Sequence, residues 1–367
     1  MIPLARPTLP KLSALQKKLK HVFKSGMLTN AKYVSEFERS CADFLDAENV
    51  VAVASGTAAL ILILKCLNLK GEVILPSFTF TSDASALLWC GITPIFADID
   101  PKTFNLDPDL IQKKITKKTS AILATHVFGN PCEIEKIETV ARKNNLKVIY
   151  DAAHAFGSAY KGRSVFRFGD ASIVSFTPTK VITTAEGGLA VVKDKNLSRI
   201  LQLGRNNGDS FNREEEFLGL TARLNEFSAI LGIESLKILK QRLKRRLKLV
   251  KMYKKELAGV PGISFQAVAP DNFSVYKDFT ILADENKFGR SRDDLLKELL
   301  KRKIECKTYF YPALHKKKIC QEYSDSLLPQ TDYISAHIIS LPLYSHMPEK
   351  YVKRVCSTIK KLSKKLT

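Results

Sequence analysis

The amino-acid sequence predicts an α/β protein with a large domain on a mainly parallel, doubly wound sheet and a smaller α+β domain at the C-terminal end. Between residues 49 and 192, short β-branched runs alternate with helical segments. After residue 219 the apolar residues recur at helical spacing, and a mixed region follows from about residue 265. We therefore expect a large domain over 1–235, N-terminal segment included, and a linking helix with the small domain over 236–367.

Seven short apolar runs are predicted to form the strands of the large sheet. They cover residues 50–53, 72–75, 94–97, 121–124, 148–150, 173–176 and 189–192. In a doubly wound sheet, ligands bind in the crevice beyond the carboxyl ends of the parallel strands. The polar residues that directly follow these strands are therefore the first candidates for a functional site.

An amphipathic helix is predicted after residue 219. Its apolar positions are Leu236, Leu239, Leu243, Leu247 and Val250, and its basic positions are Lys240, Arg242, Lys244, Arg245, Arg246 and Lys248. We interpret it as a helix with a solvated basic face that links two lobes. Binding of that face to nucleic acid or anionic lipid is the alternative, but no aromatic residues interleave with it to stack on bases. Beyond it, a strand at 279–282 and a helix at 293–301 predict the small lobe.

Composition and charge narrow the class of protein. The chain has 367 residues, 45% hydrophobic and 26% charged, which is typical of soluble globular proteins. It contains no apolar run of eighteen residues and no secretory-type N-terminus, so we expect a cytoplasmic protein that spans no membrane. The net charge of +21 suits an anionic partner such as nucleic acid, an acidic membrane or a phosphorylated metabolite. A lysine-rich solvated surface explains the same charge.

The seven cysteines are odd in number and form no C-x-x-C pair. This spacing argues against a disulfide framework and against a zinc knuckle, and we predict no metal site.

A small-residue turn follows the first predicted strand. Ser55, Gly56 and Thr57 come just before an apolar helical run over residues 58–67. Backbone N–H groups and the Thr57 hydroxyl at the positive end of a helix form a phosphate site. The alternative is an ordinary helix start, with Ser55 or Thr57 as the N-cap residue.

A carboxylate and an imidazole follow the strand at 148–150. Asp151 can hold a pyridine nitrogen protonated, so that the ring of pyridoxal phosphate (PLP) becomes an electron sink, and His154 can hydrogen-bond a ring oxygen. An Asp that caps the next helix and a His satisfied by its neighbours explain the residues equally well.

Lys180 stands just beyond the strand at 173–176, among hydroxyl residues and ahead of a glycine pair. A lysine in a partly desolvated pocket loses its proton readily and becomes a nucleophile toward aldehydes. A single lysine in a chain with 58 basic residues is ordinarily a surface residue. The occurrence of the three segments together favours a functional role for Lys180, because a candidate phosphate turn, a candidate pyridine carboxylate and a candidate Schiff-base lysine each follow a predicted strand.

These segments resemble the DegT/DnrJ-type sugar aminotransferases, which belong to fold type I of the PLP-dependent transferases. The resemblance covers nearly the whole chain, from residues 2–7 and 25–30 through the three segments above to residues 341–344.

The resemblance implies a role for individual residues. Lys180 would bond the cofactor aldehyde and then carry a proton between the substrate carbon and the cofactor, and Asp151 would pair with the pyridinium nitrogen. His154 would contact the ring oxygen, and Phe80 would stack on the ring unless it serves core packing instead. The phosphate would be bound by Gly56, Thr57 and Ser175.

One position departs from the family pattern. Members usually carry G-x-N-x-R, whose Asn reaches the phosphate in the neighbouring subunit's site, whereas residues 219–223 place Thr221 there. A threonine can still donate a hydrogen bond, but its shorter side chain puts that contact in doubt. We still expect a homodimer.

Sugar recognition is expected from Thr29, Asn30 and the run over 309–315, in particular Tyr309, Tyr311 and His315. Aromatic and imidazole groups offer apolar faces with polar tips, which suit a nucleotide sugar. A packed loop is the alternative interpretation of the same run.

The resemblance implies transamination of a nucleotide-linked keto sugar, with L-glutamate as donor, which gives an amino sugar for glycan or metabolite biosynthesis. The Y-F-x-P-x-x-H run over 309–315 resembles that of members acting on 4-keto-6-deoxyhexoses, so a 4-keto-6-deoxyhexose is the expected substrate. The alternatives are a PLP-dependent sugar dehydratase, whose relatives on this fold replace the lysine with histidine, and a non-catalytic PLP- or sugar-binding regulator. Lys180 argues against the first, and no visible DNA-binding segment supports the second.

Overall fold

The computed structural model describes residues 1–209, 217–324 and 327–363. Their α-helices are α1 (Leu12–Ser25), α2 (Lys32–Leu45), α3 (Gly56–Cys66), α4 (Thr81–Trp89), α5 (Pro108–Ile111), α6 (Ile134–Lys143), α7 (Lys195–Gly204), α8 (Glu226–Leu257), α9 (Glu285–Phe288), α10 (Arg292–Lys301), α11 (Pro329–His337) and α12 (Glu349–Leu362). Their strands are β1 (Asn49–Val53), β2 (Glu72–Pro76), β3 (Thr93–Ala97), β4 (Thr119–Thr125), β5 (Lys147–Asp151), β6 (Ala159–Tyr160), β7 (Arg163–Ser164), β8 (Ala171–Ser175), β9 (Gly188–Val192), β10 (Ile263–Phe265), β11 (Phe279–Ala283) and β12 (Ile338–Leu341).

A seven-stranded sheet in the order β1-β9-β8-β5-β4-β2-β3 forms the centre of the large lobe. Strand β9 is antiparallel to both of its neighbours, and the other adjacent pairs are parallel. The predicted α/β class with a mainly parallel sheet is therefore confirmed. All seven predicted strands are present, and their ends differ from the prediction by at most two residues.

The interiors of the strands are mainly apolar because both faces of the sheet are covered. In β4, Ala121 and Leu123 belong to one buried cluster, whereas Ile122 and Ala124 belong to the cluster on the opposite face. Successive side chains of a strand point to opposite faces, so a strand covered on both sides has no polar face. This packing leaves the strand ends as the places where polar side chains of the sheet can meet a ligand.

Helix α8 links the two lobes, as predicted. The Asn225 side chain caps it by accepting a hydrogen bond from the Ser228 N–H at 2.8 Å. Leu239 and Leu243 pack in the core of the large lobe, whereas Leu249 belongs to the core of the small lobe. No helix within the described ranges is both long and apolar enough to cross a membrane.

The prediction of a fully solvated basic face on α8 is wrong at Arg246. This side chain is buried, and its guanidinium donates hydrogen bonds to the carbonyl oxygens of Tyr276 at 2.6 Å, Lys277 at 2.5 Å and Leu343 at 3.2 Å. Burial lowers the pKa of Arg246 to about 10. A guanidinium can satisfy several carbonyl groups at once, which is why a basic residue fits this interior position.

The small lobe contains the antiparallel sheet β10-β11-β12 and a core that includes residues of α8, α10 and α12. The chain's first residues also lie against it. The Ile2 N–H donates to the Lys303 carbonyl at 2.8 Å, and the Ile2 carbonyl accepts from the Glu305 N–H at 2.9 Å. The smaller α+β lobe thus includes part of the N-terminal segment, whereas the domain boundary at 235/236 stays a prediction.

Candidate active site

A cavity of about 180 Å³ lies beyond the carboxyl ends of β1, β5 and β8. It brings together eight of the residues predicted from the sequence, namely Gly56, Thr57, Phe80, Asp151, His154, Ser175, Lys180 and Tyr309. Thr29, Asn30, Thr221, Tyr311 and His315 are not part of its lining. The strand ends of a parallel sheet share one edge, which explains why residues far apart in sequence meet here.

The N-terminus of α3 forms one end of the cavity. Ser55 is the N-cap residue, because its side-chain oxygen accepts from the Ala58 N–H at 3.1 Å. The alternative N-cap role is therefore correct for Ser55, while Gly56 and Thr57 remain in the cavity wall. A Cβ atom on Gly56 would lie 3.1 Å from the Ser175 Cβ and 3.2 Å from the Val174 carbonyl oxygen. Glycine thus lets the helix start approach the end of β8 closely.

Asp151 is the last residue of β5 and is 4% exposed. One of its carboxylate oxygens accepts from the Ala153 N–H at 2.8 Å. Burial raises the pKa of Asp151, while the Ala153 N–H and the positive charge of Lys180 act in the opposite direction. The carboxylate is thus held by the backbone at the cavity wall, where it can pair with a cation.

Lys180 lies in a turn after β8, and its backbone N–H donates a hydrogen bond to the Thr177 carbonyl at 3.0 Å. Its side chain reaches the cavity and keeps some solvent contact, yet protein atoms surround the amine. Burial, followed by repulsion from Lys277, lowers the pKa of Lys180 to about 8. Roughly one-tenth of this amine is therefore uncharged at pH 7, and the uncharged form is the nucleophile toward aldehydes.

His154 is 7% exposed and lies beside the rings of Phe128 and Phe310, which are almost parallel to it at centroid distances of 6.1 Å and are 5.7 Å from each other. Its Nδ1 accepts a hydrogen bond from the Phe128 N–H at 3.3 Å. Burial lowers the pKa of His154 well below its usual value, so the ring is neutral and carries its proton on Nε2. The imidazole is satisfied locally on one side and can donate a hydrogen bond on the other.

Two charged residues of this region were not predicted. Lys277 lines the cavity and forms a buried ion pair with Asp278, whose oxygens lie 3.0 and 2.9 Å from its amine. Asp83 lies in the first turn of α4 and is fully buried near Asp151. Lys277 follows no strand, and an acidic residue in a first helical turn is ordinary. The one feature of the sequence that points to Asp83 is that it is the only charged residue between positions 73 and 97.

The other predicted residues occupy different environments. The Thr221 hydroxyl donates to the Asn207 side-chain oxygen at 2.8 Å, and Thr29 is exposed. Asn30 has a left-handed backbone, and its backbone N–H donates to the Leu224 carbonyl at 3.4 Å. The predicted contacts of these residues with a cofactor or sugar stay predictions.

Within the run over 309–315, the three candidate side chains separate. Tyr309 lines the cavity, whereas Tyr311 is 55% exposed and its ring lies 4.4 Å from the Arg292 guanidinium. His315 is buried, with Nδ1 2.7 Å from the Ser77 hydroxyl and Nε2 3.2 Å from Asp332. The packed-loop alternative therefore describes His315, and a substrate contact by it stays a prediction.

Comparisons with known proteins agree on one family. The model of the DegT/DnrJ/EryC1/StrS aminotransferase family matches residues 12–360. The dTDP-4-amino-4,6-dideoxy-D-glucose transaminase of Escherichia coli is 32% identical over 361 residues, 96% of each chain. The GDP-perosamine synthase of Vibrio cholerae is 30% identical over 367 residues, 98% of each chain.

A solved structure shows the same fold. DesI, determined in the presence of its TDP-sugar product, has a TM-score of 0.93 and 31% sequence identity, over 98% of this chain and 93% of that chain. With the cavity geometry and the family match, this likeness confirms the predictions of fold and of a PLP-dependent sugar aminotransferase. The chain belongs to the DegT/DnrJ/EryC1/StrS aminotransferase family.

Proposed function

We propose that the protein binds PLP and transfers an amino group from L-glutamate to a nucleotide-linked 4-keto-6-deoxyhexose. The observation that carries the proposal is the meeting of Lys180, Asp151 and the N-terminus of α3 in one cavity. Relatives that make dTDP-4-amino-4,6-dideoxy-D-glucose and GDP-perosamine support a nucleotide-sugar substrate. The predicted cytoplasmic location stays a prediction.

The residues present fit PLP. Gly56, Thr57 and Ser175 surround a helix N-terminus, where backbone N–H groups and the helix dipole favour a phosphate. Asp151 is a buried carboxylate with the charge to pair with a protonated pyridine nitrogen, and His154 has a donor for a ring hydroxyl oxygen. When bound, PLP supplies an aldehyde and a ring that accepts electrons during amino transfer.

Lys180 would hold the cofactor and move the proton. Its amine would bond the cofactor aldehyde, and its Nζ atom would accept a proton from the substrate carbon. The same Nζ atom can then return that proton to C4′ of the cofactor. A pKa of about 8 places the amine near the working pH, where both uptake and release of a proton are efficient.

Phe80 is a candidate for the stacking contact on the cofactor ring. It is 56% exposed and lines the cavity, which argues against the alternative role in core packing. An exposed aromatic face at this place can cover a planar ring.

Lys277 is the residue that we assign to the carboxylate of the amino donor. A keto sugar has no charge at its reacting carbon, whereas an amino acid brings a carboxylate attached to that carbon. Among the lining residues, Lys180 and Lys277 carry amines, and Lys180 is committed to the cofactor. Asp278 orients the Lys277 ammonium, which has three N–H donors and so retains capacity for a second anion.

Tyr309 is the aromatic residue that we assign to the sugar side of the cavity. Its ring lies 5.2 Å from the Lys277 amine, and burial is the main cause that raises the pKa of its hydroxyl. The hydroxyl therefore remains protonated and can both donate to and accept from a sugar hydroxyl.

A homodimer is part of the proposal. Phe23, Met27, Leu28 and Phe227 form an exposed apolar group around the end of α1 and the start of α8, with exposed fractions of 76, 58, 53 and 36%. The Phe23 and Phe227 rings are in contact at a centroid distance of 5.6 Å. Large apolar side chains grouped in this way favour burial against a partner, and a second copy of the chain is the partner we propose.

An assay that measures both reaction products tests the proposed function. The PLP-loaded protein is incubated with L-glutamate and either dTDP- or GDP-4-keto-6-deoxyhexose, and 2-oxoglutarate and the aminated nucleotide sugar are measured by mass spectrometry. We expect the two products in equal amounts. Loss of a further hydroxyl group from the sugar, without amination, would indicate dehydratase chemistry, and PLP binding without any turnover would support the non-catalytic alternative.

A further inference from the structure

The Asp83 carboxyl group is buried with one oxygen satisfied and the other not. Its Oδ2 accepts hydrogen bonds from the hydroxyls of Thr79 at 2.7 Å and Thr125 at 3.1 Å. Its Oδ1 is also buried, and no N–H or O–H group of the described residues donates to it. Leaving a buried charged oxygen without a donor is costly, so this atom requires an explanation.

The explanation lies in the neighbouring carboxyl group. Thr125, whose hydroxyl donates to Asp83, is the partner of Asp151 in the register of β4 and β5, so the two buried carboxyl groups are neighbours within hydrogen-bond reach. Two carboxylates this close and away from water repel strongly and do not both ionise. A single proton between them removes the repulsion and gives Oδ1 of Asp83 its hydrogen bond.

The surroundings decide which residue carries the proton. Asp151 has the Ala153 N–H and the positive charge of Lys180, which favour its ionised form. Burial, followed by the negative charge of Asp151, raises the pKa of Asp83 well above its usual value. The two threonine hydroxyls both donate to Oδ2, which leaves Oδ1 as the protonated oxygen.

We propose that Asp83 is a positioning residue whose neutral carboxyl donates a hydrogen bond from Oδ1 to Asp151, and so keeps Asp151 ionised and aimed at the cofactor's pyridine nitrogen. The first half of this proposal concerns the protein alone. The second half rests on the proposed function, because it requires PLP in the cavity.

The hydrogen bond has a direct consequence for the cofactor site. Burial raises the pKa of Asp151 and thereby favours a neutral carboxyl group, which cannot pair with a pyridinium ion. The hydrogen bond from Asp83 acts in the opposite direction and lowers that pKa. Asp151 thus stays a weak enough base to leave the proton on the pyridine nitrogen, where the ring needs it.

Two substitutions separate this role from simple packing. Asp83→Asn keeps the shape and replaces the O–H donor with an amide N–H, while its carbonyl still accepts from the threonines. Asp83→Ala removes donor and acceptor together. Asp98→Asn is a matched control, because Asp98 is also buried but its oxygens are satisfied by the Gln330 and Thr331 N–H groups and the Thr331 hydroxyl.

Infrared spectra of the cofactor-free wild type, from which the spectrum of each variant is subtracted, test where the proton lies. We expect a protonated-carboxyl C=O band near neutral pH that Asp83→Asn abolishes and Asp98→Asn retains. Persistence of this band in Asp83→Asn, or its absence from the wild type, would overturn the proposal. This measurement needs no PLP, so it is decisive even if the proposed function fails.

PLP binding tests the second half. We expect Asp83→Ala to weaken PLP binding by about 10- to 100-fold, as for loss of a hydrogen bond to a charged group, and Asp83→Asn to restore it to within about threefold of wild type. Equal losses in both variants, with equal melting temperatures, would refute the positioning role. Failure of wild type itself to bind PLP would contradict the proposed function instead, and the infrared result would still stand.

Discussion

The cofactor side of the cavity and the run over residues 309–315 differ in how their side chains are positioned. Asp151 and Ser175 end strands, and Lys180 lies in a tight turn five residues beyond β8, so the backbone of the sheet places all three. In the run over 309–315, Tyr309 lines the cavity, but Tyr311 is exposed and His315 is buried against Ser77.

The difference shows which candidate residues a sequence can place. Strand ends of a parallel sheet converge on one edge, so a polar residue there has a defined position before any tertiary contact is known. Side chains in a connecting run are directed by tertiary hydrogen bonds such as that between His315 and Ser77. A motif in such a run therefore identifies a region of the site and leaves the role of each residue open.

The largest expected effect is on the cofactor side. Replacing Lys180 with Ala would remove the amine that we propose bonds the cofactor and carries the proton, and we expect turnover of the sugar to fall on the order of 10³-fold or more. Lys193→Ala is the matched control, because Lys193 also follows a strand but is exposed. Steady-state rates for both variants check the prediction. Equal activity of Lys180→Ala and Lys193→Ala would show that Lys180 has no special part in turnover.

A second expected effect separates the donor from the sugar. We expect Lys277→Met to raise KM for L-glutamate by about 10-fold or more, since a charge-assisted hydrogen bond is lost, with a much smaller change in KM for the keto sugar. Lys277→Arg keeps the charge and should recover part of the loss. A KM increase confined to the sugar in Lys277→Met would assign this residue to the nucleotide sugar instead.

The run over 309–315 offers a comparison within itself. His315→Ala removes a buried hydrogen bond, and we expect the free energy of unfolding to fall by about 2 kcal/mol with little change in KM for the sugar. Tyr309→Phe should do the reverse, raising that KM by about 5- to 10-fold with stability unchanged. Denaturant unfolding and initial rates measure the two effects. A large KM increase in His315→Ala at normal stability would restore its role as a substrate contact.

The smallest expected effect is a pH dependence. The uncharged Lys180 amine is the nucleophile, and its pKa is lowered to about 8, so the rate of PLP uptake by cofactor-free protein should rise with pH and level off above about 8. Repulsion from Lys277 contributes to this lowering, so Lys277→Met should move the inflection to higher pH. Stopped-flow absorbance follows the uptake. An inflection that moves to lower pH in Lys277→Met would contradict the electrostatic account.

Much of the fold, and the meeting of eight predicted residues in one cavity, could be predicted from the sequence, because strand periodicity and strand-end positions are local properties. The environments of Asp83, Arg246 and Lys277 could not. The carboxyl group next to Asp83 belongs to a residue 68 positions away in the chain, and the buried Arg246 guanidinium donates to carbonyl groups of two other segments. Such partners are defined by tertiary packing, which no local pattern reveals.

Chemical trapping tests whether Lys180 is the residue that holds the cofactor. The PLP-loaded protein is reduced with borohydride, which makes the lysine–cofactor bond permanent, and the labelled residue is identified by peptide mass spectrometry. Because Lys180 and Lys277 line the same cavity, the experiment discriminates between two candidate amines. We predict that the label is on Lys180; a label on Lys277, or no label after saturation with PLP, would contradict the account.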